Sequence, residues 1–123
     1  MDERRLFGNS GEQIAKHYLQ KKGWQILHEQ YRNRFGEIDL IAKDKEEYVF
    51  VEVKTRRSLE NGYPEETVTA HKLRHIVAVA QEYLSTHSLH DVLFRIDVIA
   101  ILLSSTSLPD IHHLMAVDMQ GAS

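Results

Sequence analysis

The sequence predicts one α/β (α+β) domain in which helices pack against a mixed central sheet. Three observations predict it. Apolar residues recur at helical spacing in two segments, residues 9–22 and 69–85. Short runs rich in Val, Ile, Phe and Tyr lie between and after them, bounded by polar turns. The resulting order, αβββα followed by one or two strands, suits a sheet covered by helices. With 123 residues and no internal repeat, the chain is sized for a single core. The domain is expected to span 1–123, with 1–8 and 118–123 as flexible ends.

Each element has a local reason. Asn9 to Lys22 reads as the first helix: Ser10 can cap it, and Ile14, Ala15, Tyr18 and Leu19 form an apolar stripe. Gly23 stands where a left-handed terminator belongs. Trp24 to His28 is the first strand, Gly36 to Lys43 the second and Tyr48 to Thr55 the third. The polar Asp44-Lys45-Glu46-Glu47 turn joins the last two. Residues 56–66, with Asn61-Gly62 and Pro64, read as a loop. The second helix runs from about Thr69 to Ser85, with Leu73, Ile76, Val77, Ala80 and Leu84 on one face. Leu93 to Leu103 is a long apolar strand, and Ile111 to Val117 can add a short edge strand after Pro109.

Composition narrows the function classes. Hydrophobic residues make up 42% and charged residues 27%, the balance of a folded globular chain. The lack of cysteine excludes disulfides and thiolate metal sites. Val98 to Leu103, the longest apolar run, is far too short for a bilayer, and MDERRLFGNS has no apolar signal core. A cytoplasmic protein without membrane contact is expected. The net charge of −3 removes bulk basicity as a reason to invoke nucleic acid. Positive charge is nevertheless uneven: Arg32, Arg34, Lys54, Arg56 and Arg57 form one group, and His71, Lys72, Arg74 and His75 another.

Chemistry points to the third strand. In VFVEVKT, Val49 to Thr55, a glutamate and a lysine interrupt a β-branched and aromatic run. Charge in such a place is costly unless paired, solvated at a strand end or bound to a metal. Alternation puts Glu52 and Lys54 on one face and Val49, Val51 and Val53 on the other. On the second strand Glu37, Asp39 and Ile41 share a face by the same rule. A hairpin loop of two or four residues sets Asp39 opposite Glu52, whereas three residues would slip the register. Facing carboxylates repel and raise each other's pKa; a divalent cation reverses that penalty. Asp39, Glu52 and the Val53 carbonyl then supply ligands for Mg2+ or Mn2+, with Lys54 beside the attacking water. The competing reading is an ion pair of Glu52 and Lys54 at a solvated strand end.

The wider pattern resembles a known group. G-x-x-G-E-x-x-A (Gly8 to Ala15), Tyr18-Leu19, G-E-I-D-L-I-A (Gly36 to Ala42), V-F-V-E-V-K-T-R (Val49 to Arg56) and R-I-D-V (Arg95 to Val98) resemble the YraN-like family of uncharacterised bacterial proteins. The acid on one strand and Glu-Val-Lys on the next resemble the PD-(D/E)xK nuclease superfamily, which includes restriction endonucleases and Holliday-junction resolvases. The resemblance implies a restriction-endonuclease-like αβββαβ core. It implies that Asp39 and Glu52 are acidic ligands, that Lys54 is the catalytic lysine, and that Glu12 is an additional glutamate near the metal. Ile38 stands where the superfamily's name has proline. Residue type alone makes Glu12 a solvated first-turn residue.

Other candidates are weaker. His71 and His75 have zinc-compatible spacing, but Lys72 and Arg74 between them favour an exposed polar face. His112 and His113 point to opposite faces of an edge strand, with no role expected. Asp97, within RIDVIAI, is expected to be structural and paired with a hydrogen-bond donor or basic residue. Glu37 is a secondary ligand candidate, exposed by default. Trp24 and Phe94 are expected in the core. Arg32, Arg34, Arg56, Arg57 and Lys72 are the candidate phosphate contacts. The expected function is a metal-dependent nuclease acting on DNA, with branched or damaged structures among its substrates. The alternatives are a nucleic-acid-binding module with the same fold and no efficient catalysis, or a protein–protein adaptor. A homodimer is compatible with the sequence but not readable from it.

Overall fold

A computed structural model describes residues 3–57, 68–104 and 107–117, with side chains from Ser10 onward. The elements are α1 (Glu3–Lys21), β1 (Gln25–Asn33), β2 (Gly36–Asp44), β3 (Glu47–Arg56), α2 (Ala70–Thr86), β4 (Phe94–Leu102) and β5 (Asp110–Leu114). The strands stand in chain order in one sheet. All neighbours are antiparallel except β3 and β4, which run parallel from Tyr48↔Phe94 to Arg56↔Leu102. A parallel pair requires a crossover, and α2 supplies it. This is the mixed α/β sheet with flanking helices that the sequence predicts, and its order is consistent with an αβββαβ core.

Each face of the sheet has its own core. On one, Ala15 and Leu19 of α1 meet Trp24, Leu40, Ala42, Val49, Val51, Ile99 and Ile101. On the other, Leu73, Ile76, Val79, Ala80, Tyr83 and Leu84 of α2 meet Ile41, Phe50 and Ile96. The alternation of valines and Phe50 along β3 therefore divides its side chains between two helices. Trp24 lies in the core as expected, and Phe94 packs at its margin.

Termini of the elements follow their caps. Gly23 takes φ 90°, and Gly23 and Trp24 donate their N–H groups to Gln20 and Leu19, closing α1 as expected. Thr69 caps α2 by accepting the Lys72 N–H. At the other end of α1 the structure differs from expectation. The helix begins at Glu3 rather than Asn9, so Ser10 lies inside it and does not cap it. No proline interrupts residues 3–9. Residues 1–2 and 118–123 of the expected flexible ends, and residues 58–66 of the expected loop, lie outside the described residues. Arg56 closes β3 instead of opening the loop. Among the described residues no helix is long and apolar enough to cross a membrane.

Strand β1 also runs further than Trp24–His28, to Asn33. Its polar HEQYRN segment hides the strand from pattern reading, because β1 is an edge strand with a register shift between Ile26 and His28.

Candidate active site

The β2–β3 hairpin turns on Lys45 and Glu46, with Asp44 paired to Glu47 and Lys45 at φ 57°. This two-residue loop gives the register that would set Asp39 against Glu52. The ladder runs back to Leu40↔Val51 and stops there, one pair short of them. Beyond that point the strands are joined by a side chain: Asp39 Oδ2 accepts the Val53 N–H at 2.7 Å. A residue's N–H and C=O point to the same side of an extended strand, so the Val53 carbonyl shares the opening that Asp39 occupies.

The alternation expected along β2 breaks at this acid. Ile38 joins Ile41 in the core beneath α2, although a strict period of two would separate them. Across on β1, Glu29↔Leu40 and Tyr31↔Ile38 flank Gln30 and Asp39, and Gln30 adopts φ 50°. A left-handed glutamine costs about 1 kcal/mol. Its side chain turns toward α1, where Nε2 donates to Glu12 Oε2 at 2.9 Å.

Glu12 is brought to the sheet by its neighbour. A Cβ on Gly11 would lie 2.1 Å from Thr55 Oγ1, so only glycine allows α1 to approach β3 this closely. Glu12 is then a half-buried mid-helix residue rather than the solvated first-turn residue expected from its type. Burial first, then the Asp39 carboxylate, push Glu12 from its ordinary 4.5 up to about 7. The same two causes push Glu52 to about 7, against the opposing pull of Lys72 and Lys54. Burial also raises Asp39, while the Val53 N–H and hydrogen bonding with both glutamates oppose the rise. Three acids thus share one site and resist full ionisation near neutrality.

Two lysines face this cluster. Lys54 follows Glu52 by two residues on the same face of β3. Lys72, from α2, places Nζ 3.7 Å from Glu52 Oε2. The ion pair of Glu52 therefore involves the far helix, an interaction that strand spacing alone does not reveal. Other expected contacts are more dispersed. Arg32 pairs with Glu37 at 2.8 Å and Arg34 with Glu82 at 3.5 Å, both arginines being largely exposed near the β1–β2 turn. Arg56 ends β3 and Arg57 follows it. His71 and His75 are exposed on α2 with ring centres 4.6 Å apart.

No group of three or more His, Asp or Glu among the described residues forms a ready-made cation cage. Magnesium and manganese require less from a protein: one or two carboxylates, with carbonyls, waters and substrate oxygens completing the shell. Asp39, Glu52 and the Val53 carbonyl are hard donors of that type, and acids that retain protons near neutrality are short of positive charge. The donor set fits such an ion, which these three groups could hold.

A second buried ionic network lies elsewhere on the α1 face. Asp97 is fully buried and bonds Arg95 at 3.0 Å, His113 at 2.8 Å and the Ala116 N–H at 2.9 Å. Arg95 also bonds Glu47 and packs over Trp24, while His113 bonds the Tyr18 hydroxyl at 3.0 Å. The structural role expected for Asp97 is what its geometry gives. His113, expected to have none, adds a side-chain link from edge strand β5 to β4 and α1 alongside the backbone ladder. The signal was Asp97 itself, since an acid in an apolar strand demands donors from somewhere.

The sequence model of a family described as uncharacterised protein family UPF0102 matches residues 11–101. A UPF0102 protein of Caldicellulosiruptor saccharolyticus is 44% identical over 104 residues, covering 85% of this chain and 87% of the relative. One from Trichlorobacter lovleyi is 46% identical over 108 residues, covering 87% and 85%. One from Syntrophotalea carbinolica is 40% identical over 119 residues and covers 97% of each.

Proposed function

The chain belongs to the UPF0102 family, and from its site we propose a divalent-cation-dependent nuclease of the PD-(D/E)xK type that hydrolyses phosphodiester bonds in DNA. One observation carries this reading: Asp39 sits in the opening between β2 and β3, bonded to Val53 and crowded by Glu12 and Glu52. Crowded acids destabilise the bare protein, and such a cost is commonly retained where it serves chemistry. The element order and the single face shared by Glu52 and Lys54 support the superfamily assignment.

Asp39, Glu52 and the Val53 carbonyl would hold magnesium or manganese, and the ion when bound supplies Lewis acidity toward a phosphate oxygen. The chain's own groups do the rest. Lys54 donates hydrogen bonds to the attacking water and to phosphate oxygens, where negative charge builds as the new P–O bond forms and the leaving P–O bond breaks. Glu12 orients water from the α1 side, steadied by Gln30. Lys72 holds Glu52 in place and adds positive potential along the path of the strand.

The test supplies labelled duplex, branched and single-stranded DNA with each cation to the protein and to Asp39→Ala and Lys54→Ala variants. Cleavage is expected to fall about 100-fold or more in each variant. Equal cleavage by both variants and the parent would remove these roles.

A further inference from the structure

Between the β1–β2 turn and α2 lies a groove of about 380 Å3, lined by Phe35, His71, Arg74, His75 and Ala78. The four helical residues stand at i, i+3, i+4 and i+7, so they form one stripe of α2, beside rather than within its buried face. Phe35 is 41% exposed, and the turn that presents it is firmly tied. Asn33 accepts the Phe35 N–H at 2.9 Å and donates to the Val79 carbonyl at 3.2 Å. Arg34 pairs with Glu82, and its guanidinium lies 4.8 Å from the centre of the Phe35 ring. An aromatic ring is therefore held open to solvent by an anchored turn, flanked by one arginine and facing another.

Helix α2 serves both the groove and the carboxylate site. Lys72 follows His71 on α2 and reaches Glu52. The groove is an open surface depression, against which a flat group can be laid. A flat apolar ring beside fixed positive charge and imidazole N–H donors matches a base joined to a phosphate.

We propose that this groove holds an unpaired nucleotide of the strand being cut, its base against Phe35 and its phosphate toward Arg74, His71 and His75. This rests on the nuclease reading and names the substrate class for it: DNA with a single-stranded segment beside the cleavage point. Duplex DNA cannot present a base to Phe35 without unstacking it, so the groove selects ends, flaps or loops.

The experiment reads binding without cation, so cleavage plays no part. Labelled single-stranded DNA, blunt duplex and duplex with a single-stranded overhang are titrated by fluorescence anisotropy. Phe35→Ala and Arg74→Ala are expected to weaken overhang and single-strand binding about tenfold, with blunt-duplex binding changed less than about twofold. Phe35→Trp is expected to restore it. Because Phe35 is exposed, these variants keep the fold, and circular dichroism checks this. Equal losses on all three substrates, or none on any, would overturn the proposal, as would displacement of the overhang DNA by comparable concentrations of free mononucleotide. If no DNA binds, with or without cation, the nuclease reading falls with it. If blunt duplex is bound as tightly as the overhang and Phe35→Ala changes neither, only the groove assignment falls.

Discussion

Gly11 and Thr55 touch so closely that a methyl group on residue 11 would sit 2.1 Å from the Thr55 hydroxyl oxygen. The missing side chain sets how near α1 approaches β3, and Glu12 is the next residue along the helix. Gly11→Ala is therefore expected to push the helix outward and separate Glu12 from Asp39. Stability should fall by about 1–3 kcal/mol and cleavage by about tenfold. Adding Thr55→Ala, which removes the nearest atom, should restore part of both. Thermal melts and single-turnover cleavage assays check the pair.

Asp39→Asn removes the central charge of the acid cluster while leaving an amide oxygen to accept the Val53 N–H. Glu12 and Glu52 then lose the repulsion that helps raise them. The variant is expected to be inactive yet more stable than the parent above pH 7, by about 1 kcal/mol. Denaturant melts at alkaline and acidic pH, compared with the parent, measure the difference.

The raised acids also give the cation-free protein a distinctive pH dependence. Glu12 and Glu52 bind protons more tightly folded than unfolded, so their contribution to stability is full below 4.5 and is lost as pH rises through about 7. Magnesium or manganese should cancel the loss by replacing the protons. Cation affinity should accordingly weaken by about tenfold per pH unit for each proton displaced, on the acid side of 7. Calorimetric titrations in buffers of differing ionisation enthalpy would show proton release on binding.

Asp97 behaves in the opposite sense. Burial acts to raise it, but His113, Arg95 and the Ala116 N–H together hold it below the ordinary 3.8. Its stabilising contribution is present above 3.8 and is lost as pH falls through its lowered value. Asp97→Ala takes one carboxylate from buried Arg95, which keeps Glu47, and leaves His113 and the Ala116 N–H without their acceptor. It should cost about 3–5 kcal/mol. His113→Phe should cost about 1–3 kcal/mol and speed hydrogen exchange in β5 more than elsewhere. Exchange followed by mass spectrometry tests the localisation.

How much of this could be read in advance depends on the residue. The pairing of β2 with β3 was legible because a short polar turn separates two runs of unmistakable period, and that register carries Asp39 toward Glu52. The break at Asp39 was not: Gln30, across the sheet from it, takes a left-handed backbone that nothing in a glutamine announces. Glu12 could be placed only through resemblance, because its position follows from the missing side chain of Gly11. The extension of β1 was hidden by polar residues on an edge strand. Phe35 went unremarked because a lone aromatic between arginine and glycine carries no periodicity; its meaning arises from α2, some forty positions downstream.

The opening beside Asp39 has one more consequence. Val53 offers its main chain there, both the amide that Asp39 grips and the oxygen on the same side, and neither atom depends on what side chain residue 53 bears. A saturation scan should consequently record position 53 as permissive, accepting isoleucine, leucine or threonine with little effect. A peptide-to-ester exchange at the same residue, made by chemical ligation, should be costly. The most exacting demand at this point on the strand would leave almost no trace in an ordinary mutational map.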